Sequence, residues 1–169
     1  ILIKERYNRD QNEKLEDFVE GGHSMKLSTK SRYALEGLLY IAAYSPNEAV
    51  RIKKITEHTK ISVAYLEQIF FLLKKAGLLT AVRGSKGGYA LARPADQITV
   101  GQVIRSIETH IVPVPCVDDI SVCNSKVRSY CVSRDVWVHL NDSLQEIMDG
   151  LTLHMLAKEY LAEKGEISS

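Results

Sequence analysis

The stretch from residue 51 to residue 92 restricts the fold most narrowly. A short helical period from about Arg51 to Thr59, with Ile52 and Ile55 apolar, is separated by only Lys60-Ile61 from a second period. The second starts behind Ser62, a natural N-cap, and carries Leu66, Ile69, Phe70 and Leu73 on one face. Gly77 closes it in the C′ position, behind Lys74 and Lys75, whose charges suit the negative end of a helix dipole. Two helices joined by a tight turn make a helix-turn-helix. Leu78 to Val82, the loop Arg83-Gly84-Ser85-Lys86-Gly87-Gly88 and Tyr89 to Ala92 then read as strand, glycine-rich turn and strand, ended by Pro94. This is the winged-helix order. The hairpin is either an ordinary surface feature or a wing that touches DNA. Arg83 and Lys86 beside flexible glycines favour the wing, because such a loop can follow a groove while its cations meet phosphates or base edges.

Other periods extend this unit on both sides. A helix capped by Thr29 or Ser31 and running to about Tyr44 has Leu35, Leu38, Leu39 and Ala42 on one face, and Ser45-Pro46-Asn47 ends it. Thr99 caps a helix with Val100, Val103, Ile104 and Ile107 that ends near Glu108. The run from His110 to Tyr130 has no clear period; a long helix then starts at about Ser133, with Trp137, Leu140, Leu144, Ile147 and Leu151 at the 3-4-3-4 spacing of a seam between helices. Such an arm is too long to be buried by a small domain, so it is expected to pair two copies of the chain, the alternative being that it packs back on its own domain. Thr152 to Glu163 reads as a last short helix. The expected fold class is mainly α: a winged helix-turn-helix domain with a small β-hairpin wing and a long C-terminal dimerisation helix. The expected division is 1–24 as a leading extension before Met25, 25–108 as the DNA-binding domain, 109–131 as a cysteine-bearing loop, 132–163 as the dimerisation and terminal helices, and 164–169 as a tail.

Charge points to the same half of the chain. The formal net charge is only +1, yet residues 25–93 carry twelve Lys and Arg against four acids, whereas residues 94–169 carry six against eleven. A block of +8 folded next to one of −5 suggests that the first half alone meets a polyanion, since phosphate contacts supply most non-specific nucleic-acid affinity. Solvation of a helical surface by lysines is the other reading of that charge. No apolar run approaches the ~20 residues needed to span a bilayer, and Lys4, Arg6, Arg9, Lys14 and the acids among them leave the first twenty residues without a signal peptide's apolar core. No membrane association is expected, and the cytoplasm is the expected compartment. Three cysteines, Cys116, Cys123 and Cys131, are an odd number there, which argues against a disulfide framework and leaves metal binding, redox chemistry or burial. No cysteine has a sequence-adjacent histidine base, so no enzymatic activity is expected.

Three runs carry a family resemblance: Lys26-Leu27-Ser28-Thr29-Lys30-Ser31-Arg32-Tyr33-Ala34, Ile61-Ser62-Val63-Ala64-Tyr65-Leu66-Glu67-Gln68 and Val82-Arg83-Gly84-Ser85-Lys86-Gly87-Gly88-Tyr89. They resemble the opening helix, recognition helix and wing of the IscR-type superfamily of bacterial winged-helix regulators, which includes IscR, NsrR, CymR and RirA. The resemblance covers about residues 25–163 and is nearest in pattern to the cluster-binding, IscR-like members. It implies a homodimer that lays two recognition helices in successive major grooves of a pseudo-palindromic, double-stranded operator. By resemblance, Ser62 and Tyr65 sit at the groove, Glu67 and Gln68 face base edges and Arg83 enters the adjacent minor groove; Lys26, Ser28, Lys30 and Lys86 complete the candidate DNA-binding set. The chemistry suits those roles: glutamine pairs with adenine, glutamate accepts from cytosine, and a guanidinium suits a narrow groove's negative potential. Helix solvation is the rival role for Glu67, and simple N-capping for Ser62.

The resemblance also bears on the cysteines, whose C-x6-C-x7-C spacing on a loop opening onto the long helix is that of the cluster-binding members. It implies an iron-sulfur cluster, of the 2Fe-2S type, on Cys116, Cys123 and Cys131; a zinc site, a thiol switch and inert burial are the alternatives. The fourth ligand departs from the family pattern. Where IscR has a histidine three residues after the third cysteine this chain has Arg134, and where NsrR-like members have an acid on the first helix it has Arg32. Asp135, His139 and His110 remain as candidate donors. The resemblance as a whole implies a repressor of iron-sulfur assembly or related iron and sulfur genes, with a cluster-free, partner-controlled, CymR-like regulator of cysteine and sulfur metabolism as the alternative.

Overall fold

The computed structural model describes residues 27–84, 87–123 and 131–165. The leading segment 1–24, Lys26, Lys86, the stretch 124–130 between the second and third cysteines and the end of the tail lie outside the described residues. The first helix, α1 (Thr29–Tyr44), buries Ala34, Gly37, Leu38, Ile41 and Ala42, which recur at helical spacing. Its N-cap is Ser28, one residue earlier than expected, with the Ser28 hydroxyl accepting from the Ser31 amide at 3.3 Å. Either residue satisfies the local capping rule, and the choice is made by a tertiary partner described below.

The helix-turn-helix forms as α2 (Ile52–Thr59) and α3 (Val63–Lys75), joined through Lys60 in the left-handed conformation at φ 60°. Ser62 caps α3 by accepting from the Tyr65 amide at 3.4 Å, and Leu66, Ile69, Phe70 and Leu73 are fully buried, as their spacing predicts. Gly77, at φ 70°, ends the helix where a β-carbon would be strained. α1 and α3 approach closely because residue 37 is glycine: a β-carbon there would stand 2.9 Å from Cε1 of Phe70 and 3.3 Å from Leu66.

The wing is an antiparallel pair, β1 (Leu79–Val82) with β2 (Gly88–Leu91), in the register Leu79 to Leu91 and Val82 to Gly88. Val50, which carries no local strand signal, adds a third rung by exchanging two 2.8 Å backbone hydrogen bonds with Tyr89. The wing is thereby fastened to the start of α2 and not only to the end of α3. α4 (Val100–Arg105) opens on a capping box of Thr99 and Gln102. After the short α5 (Pro115–Asp118) come α6 (Val132–Gly150) and α7 (Leu153–Glu163).

The junction between α6 and α7 returns to the winged domain. Val100 donates to the Leu151 carbonyl at 2.8 Å and Leu153 to the Ile98 carbonyl at 2.9 Å. Leu153 and Ala157 of α7 lie in the same core as Leu38, Ile41, Phe70 and Ile98, so the last helix packs with the DNA-reading elements. A second, smaller core joins Val100, Ile104, Ile111 and Met148, with Leu144 and Leu151 packed against it. The apolar stripe of α6 is therefore divided. Leu144 and Leu151 turn towards their own domain, while Trp137, Leu140 and Ile147, together with Val132 and Val136, stand exposed. Beside this packing, Arg105 on α4 reaches Gln145 at 2.6 Å and pairs with Asp149 at the surface.

Candidate nucleic-acid interface and cysteine loop

α3 and the start of α1 make one surface. Ser62, Glu67 and Gln68 are exposed on α3, and Lys30 of α1 lines the same open depression of about 570 Å³ as Glu67 and Gln68. Tyr65 is half-buried and held by an edge-to-face contact with Tyr33, 5.9 Å between ring centroids. Arg32 lies over the Tyr33 ring at 4.9 Å and pairs with Glu36 at 3.6 Å. Arg83 is exposed where β1 enters the wing turn. The structure thus brings together Lys30, Glu67 and Gln68, places Tyr65 on the same helix as Glu67 and Gln68 against Tyr33, and sets Ser62 and Arg83 at the ends of the elements expected to carry them. Phe71, 61% exposed and lining the same depression, belongs to this surface and was missed. It falls three residues after Gln68, so helical spacing alone could have found it.

Ser28 is engaged elsewhere. Its amide and its hydroxyl both donate to Oε1 of Glu108, at 2.9 and 2.6 Å, and the buried Ser31 hydroxyl donates to the same oxygen. Partial desolvation pushes the Glu108 carboxyl up, but the hydrogen bonds from Ser28 and Ser31 and the nearby Lys30 charge outweigh it and hold the group below the usual carboxylate range. The carboxylate also faces the positive end of the α1 dipole.

The three cysteines are free thiols, all half-buried. Cys116 lies in α5, Cys123 follows the turn Ile120–Val122, and Cys131 is the N-cap residue of α6. The Cys131 thiol is drawn below the usual thiol range by the Ser133 hydroxyl at 3.1 Å and by the backbone amide of Arg134, which favours the thiolate that binds metals and reacts. Arg134 fastens the loop to the helix: its Nε donates to the Cys116 carbonyl at 2.9 Å and its Nη2 to that of Val117 at 3.5 Å. Asp135 and His139 are exposed on the first turns of α6, and His110 stands 3.5 Å from Asp118. Three thiols suit an iron-sulfur cluster in kind. Among the described residues, however, no three His, Cys, Asp or Glu side chains gather closely enough to hold a metal ion; of the three candidate fourth donors, Asp135 is near enough to Cys131 for its charge to oppose ionisation of that thiol. Among the described residues, no helix is long and apolar enough to cross a membrane.

Comparison with known proteins agrees with this geometry. Residues 27–159 match the Rrf2 family model, described as an iron-dependent transcriptional regulator. The transcriptional regulator IscR of Vibrio campbellii is 35% identical over 135 residues, covering 80% of this chain and 79% of the relative. Among solved structures, CymR of B. subtilis, described as its global cysteine regulator, superposes with a TM-score of 0.67 at 34% identity over 79% of this chain and 97% of its own. IscR of T. potens superposes with a TM-score of 0.65 at 33% identity, over 85% and 93%. With a helix-turn-helix, a wing and a long C-terminal helix in the order these regulators share, the chain belongs to the Rrf2 family of transcriptional regulators.

Proposed function

We propose that this chain is a DNA-binding repressor, a cytoplasmic homodimer, that senses iron-sulfur status through a 2Fe-2S cluster on Cys116, Cys123 and Cys131 and controls iron-sulfur assembly or related iron and sulfur genes. DNA is met by α3, the start of α1 and the Arg83 wing; the two copies pair through the exposed stripe of α6. The observation that carries the reading is the placement of the thiols. Cys131 stands at the foot of α6, and Arg134, on the first turn of the same helix, grips the Cys116 carbonyl, so the sensing residues lie where the arm meets the loop leading back to the reading domain. A bound cluster would supply an oxygen-sensitive, redox-active group held by soft thiolates.

Anaerobic reconstitution with iron and sulfide tests it: the expected result is visible absorption with iron and inorganic sulfide in equal amounts, lost in the Cys116, Cys123 and Cys131 to Ala variants. A colourless wild type would overturn the reading. A CymR-like function, with affinity set by a partner protein, is the second reading. The absence of a gathered donor group among the described residues, with Arg134 and Arg32 at the expected ligand positions, favours it. It predicts colourless protein whose operator binding is indifferent to the three alanine substitutions.

A further inference from the structure

We propose that Glu108 is a positioning residue for DNA binding, the joint through which the cysteine loop is mechanically coupled to the first turn of α1 and so to the recognition surface. This rests on the reading of that surface as the DNA contact and of the loop as the sensor. Three donors from one helical turn, the Ser28 amide, the Ser28 hydroxyl and the Ser31 hydroxyl, converge on one oxygen of a residue 80 positions away. The Ser31 side chain is buried, so its hydroxyl has no water to turn to when the carboxylate moves off, and an unmade hydrogen bond of that kind is costly. The joint is therefore stiff.

Its two ends touch the two halves of the mechanism. On one side, Lys30 lies between Ser28 and Ser31 and lines the depression shared with Glu67 and Gln68, and Tyr33, one turn on from Lys30, supports Tyr65. On the other, Glu108 is the last residue before the cysteine loop, and shares a cavity of about 380 Å³ with Thr109, Ile111 and Asp118 of that loop and Asn141 and Gln145 of α6. A displacement of the loop against α6 must either carry Glu108 with it or break its bonds to α1. While those bonds hold, the Ser28 donors are also closed to a phosphate, which makes Ser28 a support for the DNA face in this state.

Coupling between sites is reciprocal, so DNA must alter the loop as the loop alters DNA binding. The test is the alkylation rate of each cysteine in the full, metal-free chain under nitrogen, read by mass spectrometry with and without saturating operator duplex selected by the wild-type protein. Operator should change the rate at Cys116 or Cys131 by about fivefold or more in wild type, the low end of ordinary coupling. In Glu108→Ala, which removes the accepting oxygen, and independently in Ser31→Ala, which removes the buried donor, the change should fall below about twofold with duplex still saturating. Undiminished coupling in both variants, whatever their melting temperatures, assigns Glu108 a stabilising role only and overturns the proposal. Operator without effect on wild-type thiols overturns it too. A wild type that selects no duplex at all instead removes the DNA-binding reading on which it rests.

Discussion

Ile147→Ala on the outer side of α6 gives the most quantitative test of the arm. Ile147 is 61% exposed in the single chain, so more than half of its side chain is left to be covered by a partner. Full burial of such a side chain stabilises by about 1.5 to 3 kcal/mol, and the exposed share corresponds to about 1 to 2 kcal/mol. A twofold-symmetric dimer contains the position twice, which brings the loss to about 2 to 4 kcal/mol and weakens the dimer roughly 30- to 700-fold. Sedimentation equilibrium over a wide concentration range reads that shift directly. Leu144→Ala is the control, because its side chain packs on Val100, Ile104 and Met148 of its own domain. It should lower the melting temperature and leave the dimer constant much less affected. An Ile147→Ala dimer as tight as wild type, or a Leu144→Ala protein that loses the dimer while keeping its melting temperature, would refute the assignment of the outer stripe to the interface.

Arg83→Ala should weaken operator binding and flatten its salt dependence, whereas Gln68→Ala should cost about 1 to 3 kcal/mol on the operator and much less on random duplex; titrations at several salt concentrations separate the two. Gly37→Ala should destabilise the fold by about 1 to 3 kcal/mol in urea unfolding, because its β-carbon would press on the Phe70 ring and the buried ring has little room to yield. In metal-free protein the Cys131 thiol ionises at lower pH than an ordinary thiol, so its alkylation rate should rise and level off early as pH increases; Ser133→Ala should move that inflection upward, and an unmoved inflection means the hydroxyl does not stabilise the thiolate.

What was legible in the chain is what local rules determine. The buried face of α3, its Ser62 cap, its Gly77 stop and the hairpin each have a signature within a few residues, and the structure forms them all. Contacts between distant segments had no such signature. Val50 looks like the end of a loop until Tyr89 supplies the other half of a bridge. Ser28, Thr29 and Ser31 are equally good caps locally, and only Glu108, 80 residues away, selects Ser28 and draws Ser31 inward. The period of α6 marked its apolar stripe but not which part the chain itself would cover; that depends on Val100, Ile104 and Ile111, distant residues on which Leu144 and Met148 pack. Arg134 was legible only as a non-ligand, and its grip on the Cys116 carbonyl emerges once α5 and α6 are set side by side.

If the state of the cysteine loop sets DNA affinity, an operator titration under controlled oxygen reveals it. Operator binding is measured anaerobically for wild type reconstituted with iron and sulfide, for the same sample after exposure to air, and for the triple variant with alanine at Cys116, Cys123 and Cys131. Reconstituted and air-exposed wild type should differ in affinity by about fivefold or more, the lower range of ordinary allosteric coupling, and the triple variant should match the air-exposed protein under both conditions. Equal affinity in all three samples would contradict it.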